Sequence, residues 1–243
     1  MDIEKIFHKI KKSHSPERIN DFLIELGEHP TQGNWEMIDF FITELNKELF
    51  EQIKINLVYV IGALSSDKKV PPKFLTFLVN IYYQSDRWVR NEIIKTMINI
   101  IKNQQINKKI IDVLEASIKE EYLPLKRNAL EAFLKLENLD PSLIRNILMI
   151  MESRDSDILD KCQKIIKKEI KNEQQLFEIL NYDRAYTLIN KRAFRVILTY
   201  FFKSALNIEP FRKRIENSKW ETEYKQKYLK EIDTFQKILL KNL

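Results

Sequence analysis

The stretch that decides the fold is Asp86–Gln104, DRWVRNEIIKTMINIIKNQ. Its polar residues lie opposite a wide apolar stripe, and Asp86 can cap the first turn by accepting a hydrogen bond from a free backbone N–H. The stripe has the spacing of one helical face and consists of Val89, Ile93, Ile94, Met97, Ile98 and Ile101. The stretch therefore predicts one long amphipathic helix.

The same pattern returns along the chain as a residue pair that ends in Lys or Arg and is followed by an apolar stripe: Ile53-Lys54, Val89-Arg90, Lys126-Arg127 and Lys191-Arg192. The basic members Lys54, Arg90 and Arg127 lie 36 and 37 residues apart in the numbering. A later pair, Lys191-Arg192, leaves room for two shorter units before it. A two-helix unit of this length cannot bury its apolar faces alone, so stacked neighbours must form a continuous core. The repeat therefore predicts an all-α solenoid.

Two of these segments resemble the second helix of a HEAT repeat: IKINLVYVIGAL (Ile53–Leu64) and VRNEIIKTMINII (Val89–Ile101). The resemblance covers roughly two-thirds of the chain. It implies a right-handed α-solenoid of stacked antiparallel helix pairs, with the second helices lining a concave side, and binding rather than catalysis. On this interpretation the repeat register on the concave side is marked by Lys54, Arg90 and Arg127.

Composition and spacing predict about 12–14 helices in a single domain covering residues 1–243. Only three glycines occur, which disfavours tight hairpins and strands. We expect residues 219–242 to form a C-terminal capping helix, since terminal repeats must cover their open core. A dimerisation helix is the alternative for this segment. The oligomeric state stays open.

Positive charge is concentrated at the C-terminal end: residues 161–243 carry 19 Lys+Arg against 10 Asp+Glu. Two predicted helices, 155–172 and 183–205, place basic residues at helical spacing on one face each. Such a surface suits an acidic partner, including nucleic acid. The alternative is two solvated faces of a lysine-rich protein. The predicted surface consists of Lys161, Lys164, Lys168, Lys171, Arg184, Lys191, Arg192 and Arg195.

One short motif, Asn34–Asp39 (NWEMID), resembles the Trp-x-x-x-Asp element of the HEAT-like DNA glycosylases that remove alkylated bases. The resemblance implies that Asp39 would stabilise positive charge developing on the sugar, with Trp35 beside it. The element lies earlier in this chain than in that family, and the supporting Trp and Arg positions do not follow. The alternative, which we favour, is an ordinary amphipathic helix with Trp35 facing inward.

The sequence offers no clear metal, cofactor or membrane motif. The three histidines lack partners at i+3 or i+4, and the single cysteine, Cys162, is typical of a small buried residue. Three scattered glycines exclude a phosphate-binding glycine loop. The longest apolar run is too short to cross a bilayer. We expect no cofactor, no metal, no transmembrane segment and a cytoplasmic protein.

These observations predict a non-enzymatic HEAT-like scaffold or adaptor that binds a macromolecular partner, most readily a protein, through its concave surface. Nucleic-acid binding through the basic C-terminal repeats is the alternative, with glycosylase-like base excision as a remote extension.

Overall fold

The computed structural model describes residues 2–241, and within them the chain forms fourteen α-helices, two 3₁₀ segments and no strand. The predicted all-α fold with about 12–14 helices is therefore confirmed. The chain forms two compact units, which divide between Lys135 and Leu136. We call them unit 1 and unit 2.

Unit 1 contains eight α-helices and a short 3₁₀ turn, Pro30–Gln32. The helices are α1 (Ile3–Ile10), α2 (Pro16–Glu28), α3 (Trp35–Thr43), α4 (Lys47–Leu64), α5 (Pro72–Gln84), α6 (Arg87–Asn103), α7 (Lys108–Lys119) and α8 (Leu123–Lys135).

Most of these helices are preceded by an N-cap residue whose side chain accepts a hydrogen bond from a backbone N–H of the first turn. Ser, Asp and Asn are preferred at this position. Asp86 caps α6 as predicted, because its Oδ1 accepts from the N–H groups of Trp88 and Val89 at 2.9 and 3.0 Å. In unit 1 the same role falls to Asp2, Ser15, Asn34, Asn46 and Asn107.

The helices of unit 1 pack as four consecutive pairs, α1/α2, α3/α4, α5/α6 and α7/α8. The second helices α2, α4, α6 and α8 also pack side by side in chain order. Of the predicted stripe on α6, Val89, Ile93, Ile94 and Met97 are buried, whereas Ile98 and Ile101 are half-buried. Thr96 and Ile100, which the stripe did not include, are also buried. The packing in pairs is the helical-repeat arrangement that the spacing predicts.

Two glycines allow second helices to approach closely. A Cβ on Gly62 of α4 would lie 2.7 Å from Thr96 Oγ1 and 3.3 Å from Thr96 Cα on α6. A Cβ on Gly27 of α2 would instead meet the ring of Tyr59 on α4. Thr96, the neighbour of Gly62, is buried, and one of its close atoms is the main-chain Cα. Tyr59, the neighbour of Gly27, is partly exposed, so its ring can move.

Unit 2 contains six α-helices, which pack in the pairs α9/α10 and α13/α14, while α12 packs on α9 and α14, and α11 packs on α13. Their bounds are α9 (Pro141–Ile150), α10 (Ser156–Glu169), α11 (Glu173–Asn181), α12 (Lys191–Phe201), α13 (Ala205–Glu216) and α14 (Thr222–Lys241).

The predicted helix 183–205 is wrong at both ends. Residues Tyr182–Thr187 form a 3₁₀ segment in which Asp183 and Arg184 have φ of 46° and 55°. Two successive residues in the left-handed region cannot continue a right-handed helix. Asp183 accepts from Arg145 Nη1 at 2.5 Å, which holds the turn. At the other end, α12 stops at Phe201 and Ser204 caps the next helix, α13.

The last helix, α14, packs on α12 and α13 and buries much of the predicted apolar face. Trp220 lies just before α14, and Tyr228 and Ile232 lie within it; all three are buried, whereas Tyr224, Phe235 and Leu239 are half-buried. The predicted helix 219–242 thus has its described counterpart in Thr222–Lys241, and Asn242 lies outside the described residues.

A matched pair of glycine substitutions tests the close contact between second helices. We expect Gly62→Ala to be less stable than Gly27→Ala by about 1–3 kcal/mol, because the added methyl at 62 crowds a buried neighbour. Both substitutions gain similar helix propensity, so the difference isolates the crowding. Urea unfolding measures both, and equal stabilities would contradict the contact.

Candidate functional site

The predicted basic residues on α10 are held by local partners. Lys161 and Lys164 pair with Asp157 and Asp160, each at 2.6 Å and one helical turn earlier. Lys168 donates to the carbonyl of Leu136 and lies 3.7 Å from Glu169. Lys171 lies beyond the end of α10, and its Nζ donates to the carbonyl of Lys167 at 3.4 Å.

The predicted basic residues on and before α12 are also paired. Lys191 and Arg195 both bond to Glu231 of α14, at 3.0 and 2.5 Å. Arg192 donates to the carbonyl of Ser153 at 3.4 Å. Arg184 bonds Glu221 from the 3₁₀ segment rather than from a helix.

Glu231 is the most buried carboxylate in this set, with only 3% of its surface exposed. Burial opposes its ionisation, but the hydrogen bonds and charges of Arg195 and Lys191 outweigh burial and hold the pKa of Glu231 below its usual range. Glu231 therefore joins α14 to α12 as a charged anchor. The two cations that it holds share this one carboxylate, so Glu231 offsets only part of their positive charge.

All eight predicted basic residues thus have a carboxylate or a carbonyl partner, and Arg184 does not share the helical face of Lys191, Arg192 and Arg195. Most of the ion pairs are exposed on at least one side, so their net contribution to stability is small. The carbonyl partners of Lys171 and Arg192 carry no net charge and do not offset the charge of these two residues. The binding role of these residues stays a prediction.

Sequence reasoning missed a second basic site, a cleft of 620 Å³ between the C-terminal ends of α10 and α12. We call it the lysine cleft. Lys167, Lys171 and Lys203 line it together with Ile170, Thr199, Tyr200 and Phe201, and none of these described lining residues is acidic. Lys167 and Lys203 bond to no described carboxylate, unlike Lys161 and Lys164 of α10 and Lys191 and Arg195 of α12. In the sequence, the cleft corresponds to lysines at or just beyond the ends of two helices. The search for helical spacing does not detect residues that lie beyond a helix end.

The three register residues serve packing in unit 1. Lys54 is 7% exposed and bonds Glu51 at 2.6 Å. Arg90 joins two neighbouring pairs, because its Nε donates to the carbonyl of Tyr82 at 3.1 Å and its Nη1 bonds Glu120 at 2.7 Å. Arg127 lies half-buried on α8. All three lie on second helices, and the charged groups of Lys54 and Arg90 are engaged inside the fold. Their place on a concave side stays a prediction.

An exposed aromatic surface lies where α6 begins and where the chain turns from α7 into α8. We call it the aromatic edge and define it as Tyr83, Arg87, Trp88, Tyr122 and Leu123. Trp88 is 55% exposed and Tyr83 56% exposed, which is unusual for such large side chains.

Within the aromatic edge, three side chains contact one another. The rings of Trp88 and Tyr122 meet edge to face with centroids 5.7 Å apart. The guanidinium of Arg87 lies 5.1 Å from the Trp88 centroid and 5.3 Å from that of Tyr122. Stacking and cation–π attraction order these side chains while leaving much of their surface in water.

Trp35 and Asp39 make contacts between the first helices α3 and α5. Trp35 packs on Phe74 with ring centroids 5.0 Å apart. Asp39 pairs with Lys73 at 2.8 Å, and about a third of its side chain is exposed. The ordinary amphipathic helix accounts for both residues, with Ile38 and Phe41 buried beside them.

Among the described residues, no group of three His, Cys, Asp or Glu side chains could hold a metal ion. Cys162 is buried on α10. No helix within residues 2–241 is long and apolar enough to span a bilayer.

Comparison with known proteins gives information on the fold of this chain but not on its function. No known protein family matches the chain, and no curated protein sequence matches it. Two solved structures, each described as an engineered protein from a structural genomics consortium, are similar over 96% and 95% of this chain. The matched regions make up 97% and 68% of those two chains, with TM-scores of 0.55 and 0.53 and 13% sequence identity in both cases. The likeness supports an all-α helical-repeat fold.

The anchor role of Glu231 predicts a pH-dependent stability. A lowered folded pKa stabilises the protein above the ordinary value of 4.5, and this contribution is lost as the pH falls through the folded pKa. We expect Glu231→Gln to cost about 1–3 kcal/mol at pH 7 and to weaken the loss of stability below pH 4.5. Thermal unfolding between pH 3 and pH 7 measures this, with Glu223→Gln, an exposed residue of the same helix, as the control. A cost equal to that of the control would contradict the anchor.

The contacts of Trp35 and Asp39 separate a structural role from a catalytic one. Trp35→Ala should cost about 2–4 kcal/mol because it removes a half-buried indole, while Asp39→Asn should change stability by less than about 0.5 kcal/mol. In the glycosylase interpretation Asp39→Asn would abolish release of an alkylated base from duplex DNA. If the wild-type protein releases no base, that interpretation is wrong.

Proposed function

We propose that this chain is a non-enzymatic, cytoplasmic, HEAT-like scaffold or adaptor that binds a protein partner. The observation that carries the proposal is the aromatic edge of unit 1. Its Trp88, Tyr122 and Arg87 belong to the three residue types that contribute most binding energy at protein interfaces.

The aromatic edge supports a protein partner because its side chains are already ordered before binding. Exposed Trp88 offers a large apolar area, and the contacts with Arg87 and Tyr122 reduce the conformational entropy that binding would cost. A rigid helical scaffold also keeps the surface in place, since Arg90 and the Asp86 cap fix the start of α6 beneath it.

The exposed face of the second helices supplies further apolar surface in unit 1. Ile24 of α2 and Ile55 and Tyr59 of α4 are each about two-fifths exposed on neighbouring helices of the row. This is the face that the HEAT resemblance assigns to the concave side. A partner that contacts the second-helix face and the aromatic edge would use apolar contacts more than charge.

Nucleic-acid binding through the predicted stripe on α10 and α12 receives less support. Its cations already bond Asp157, Asp160, Glu221 and Glu231, so a polyanion would have to compete with internal carboxylates. Base excision through Trp35 and Asp39 receives less support still, because Phe74 and Lys73 engage both residues.

A capture experiment with a matched variant tests the protein-binding proposal. The immobilised full chain should retain a protein from native lysate, and nuclease treatment should not release it. Trp88→Ala should weaken binding of that protein by about 2 kcal/mol or more, roughly thirty-fold, because it removes the central exposed side chain. Stability should change little, since Trp88 is mostly exposed.

Tyr182→Ala is the control, since Tyr182 is an exposed aromatic residue of unit 2 and lies outside the aromatic edge. It should bind the retained protein as the wild type does. A partner whose affinity is the same for Trp88→Ala and the wild type, or one that nuclease releases, would rule out the aromatic edge as the binding surface.

A further inference from the structure

We infer that the lysine cleft of unit 2 binds a segment of single-stranded nucleic acid. The site is distinct from the aromatic edge and shares only Lys171 with the predicted basic surface. Its lysines would contact successive phosphates, while the Tyr200 side chain would stack on a base.

The charges in the cleft distinguish it from the other basic surfaces of unit 2. Lys167, Lys171 and Lys203 are exposed, and within residues 2–241 no carboxylate lines the space between them. Nearby cations on the same two helices have acidic partners, as Lys164 has Asp160 and Arg195 has Glu231. The cleft is therefore a place where positive charge remains available to a ligand.

Stabilisation of helix ends does not account for all three lysines. Lys167 lies in the last turn of α10, where a cation interacts favourably with the helix dipole. Lys171 and Lys203 lie beyond the last residues of α10 and α12. Each helix end carries only about half a negative charge, so three lysines leave a positive excess at the cleft.

The other lining residues favour a nucleic-acid strand over a simple anion. Tyr200 and Phe201 are half-buried and supply aromatic surface beside the lysines, and Thr199 adds an exposed hydroxyl. Lysines beside aromatic rings form the usual arrangement for binding single strands, in which phosphates meet cations and bases stack on rings. Because four of the seven lining residues are exposed, the cleft opens to solvent and a chain can pass through it.

Fluorescence anisotropy with a labelled single-stranded RNA of about ten nucleotides tests the site. Lys167→Gln with Lys203→Gln should weaken binding about ten-fold or more at about 0.1 M salt. It should also lower the slope of log affinity against log salt by about 1.4, the value for two lost phosphate contacts on a single strand. Tyr200→Ala should weaken binding about five-fold or more, and Tyr200→Phe should retain it, because stacking needs only the ring.

The matched control is Lys230→Gln with Lys237→Gln, which changes the net charge equally at exposed positions of α14. It should leave the affinity within about two-fold of the wild type. Circular dichroism melting checks that every variant is folded. Equal weakening by the control pair would reduce the interaction to bulk charge and overturn the site.

Inorganic polyphosphate is the second probe, since it offers phosphates without bases. Its binding should depend on Lys167 and Lys203 but not on Tyr200. If RNA binding is equally insensitive to Tyr200→Ala, or if the wild type binds no RNA at about 50 mM salt, the inference is wrong. The experiment needs no protein partner, so its failure would leave the proposed scaffold function standing.

Discussion

The close contact between α4 and α6 is the constraint on which the packing of unit 1 depends. Gly62 leaves room for Thr96, and Thr96 Oγ1 donates to the carbonyl of Val58 at 3.0 Å. Asn103 Nδ2 donates to the carbonyl of Ser65 at 2.7 Å near the other end of the same contact. Side chains of one second helix thus bond the main chain of the previous one. These bonds fix the register of neighbouring helices, whereas apolar packing alone would allow them to slide.

Unit 2 depends instead on an aromatic cluster and on ion pairs to α14. The indole of Trp220 stacks on Tyr186 with ring centroids 4.3 Å apart and donates to Asn181 at 3.0 Å. Tyr228 donates to the carbonyl of Tyr186 at 3.0 Å, and burial raises the pKa of Tyr228. Together with Glu231, these contacts join the last helix to the preceding ones. Many of the basic residues that make the C-terminal sequence look like a polyanion site are engaged in this way.

Spacing could predict the second helices because burial itself is periodic. The stripe beginning at Val89 faces the core of unit 1, and the positions of Lys54, Arg90 and Arg127 fall on α4, α6 and α8 as the repeat requires. Spacing could not predict that Arg90 would bond Glu120, since that pair depends on how two turns meet in space. Nor could it predict the left-handed backbone at Asp183, which Arg145 of a different helix holds in place.

The same reasoning explains why the candidate sites differ from the predicted stripe. Helical spacing identifies residues that share a face, but a face rich in lysine usually contains acidic residues one turn away, as Lys161 and Asp157 do. Charge available to a ligand therefore remains mainly where the helix ends and no such neighbour follows, as at Lys203. The apolar surface of an exposed aromatic ring cannot be offset by one acidic neighbour in the way that a lysine charge can. It leaves water only where other side chains cover it. The Trp88 ring, which Arg87 and Tyr122 cover only in part, therefore indicates binding more strongly than any of the paired lysines does.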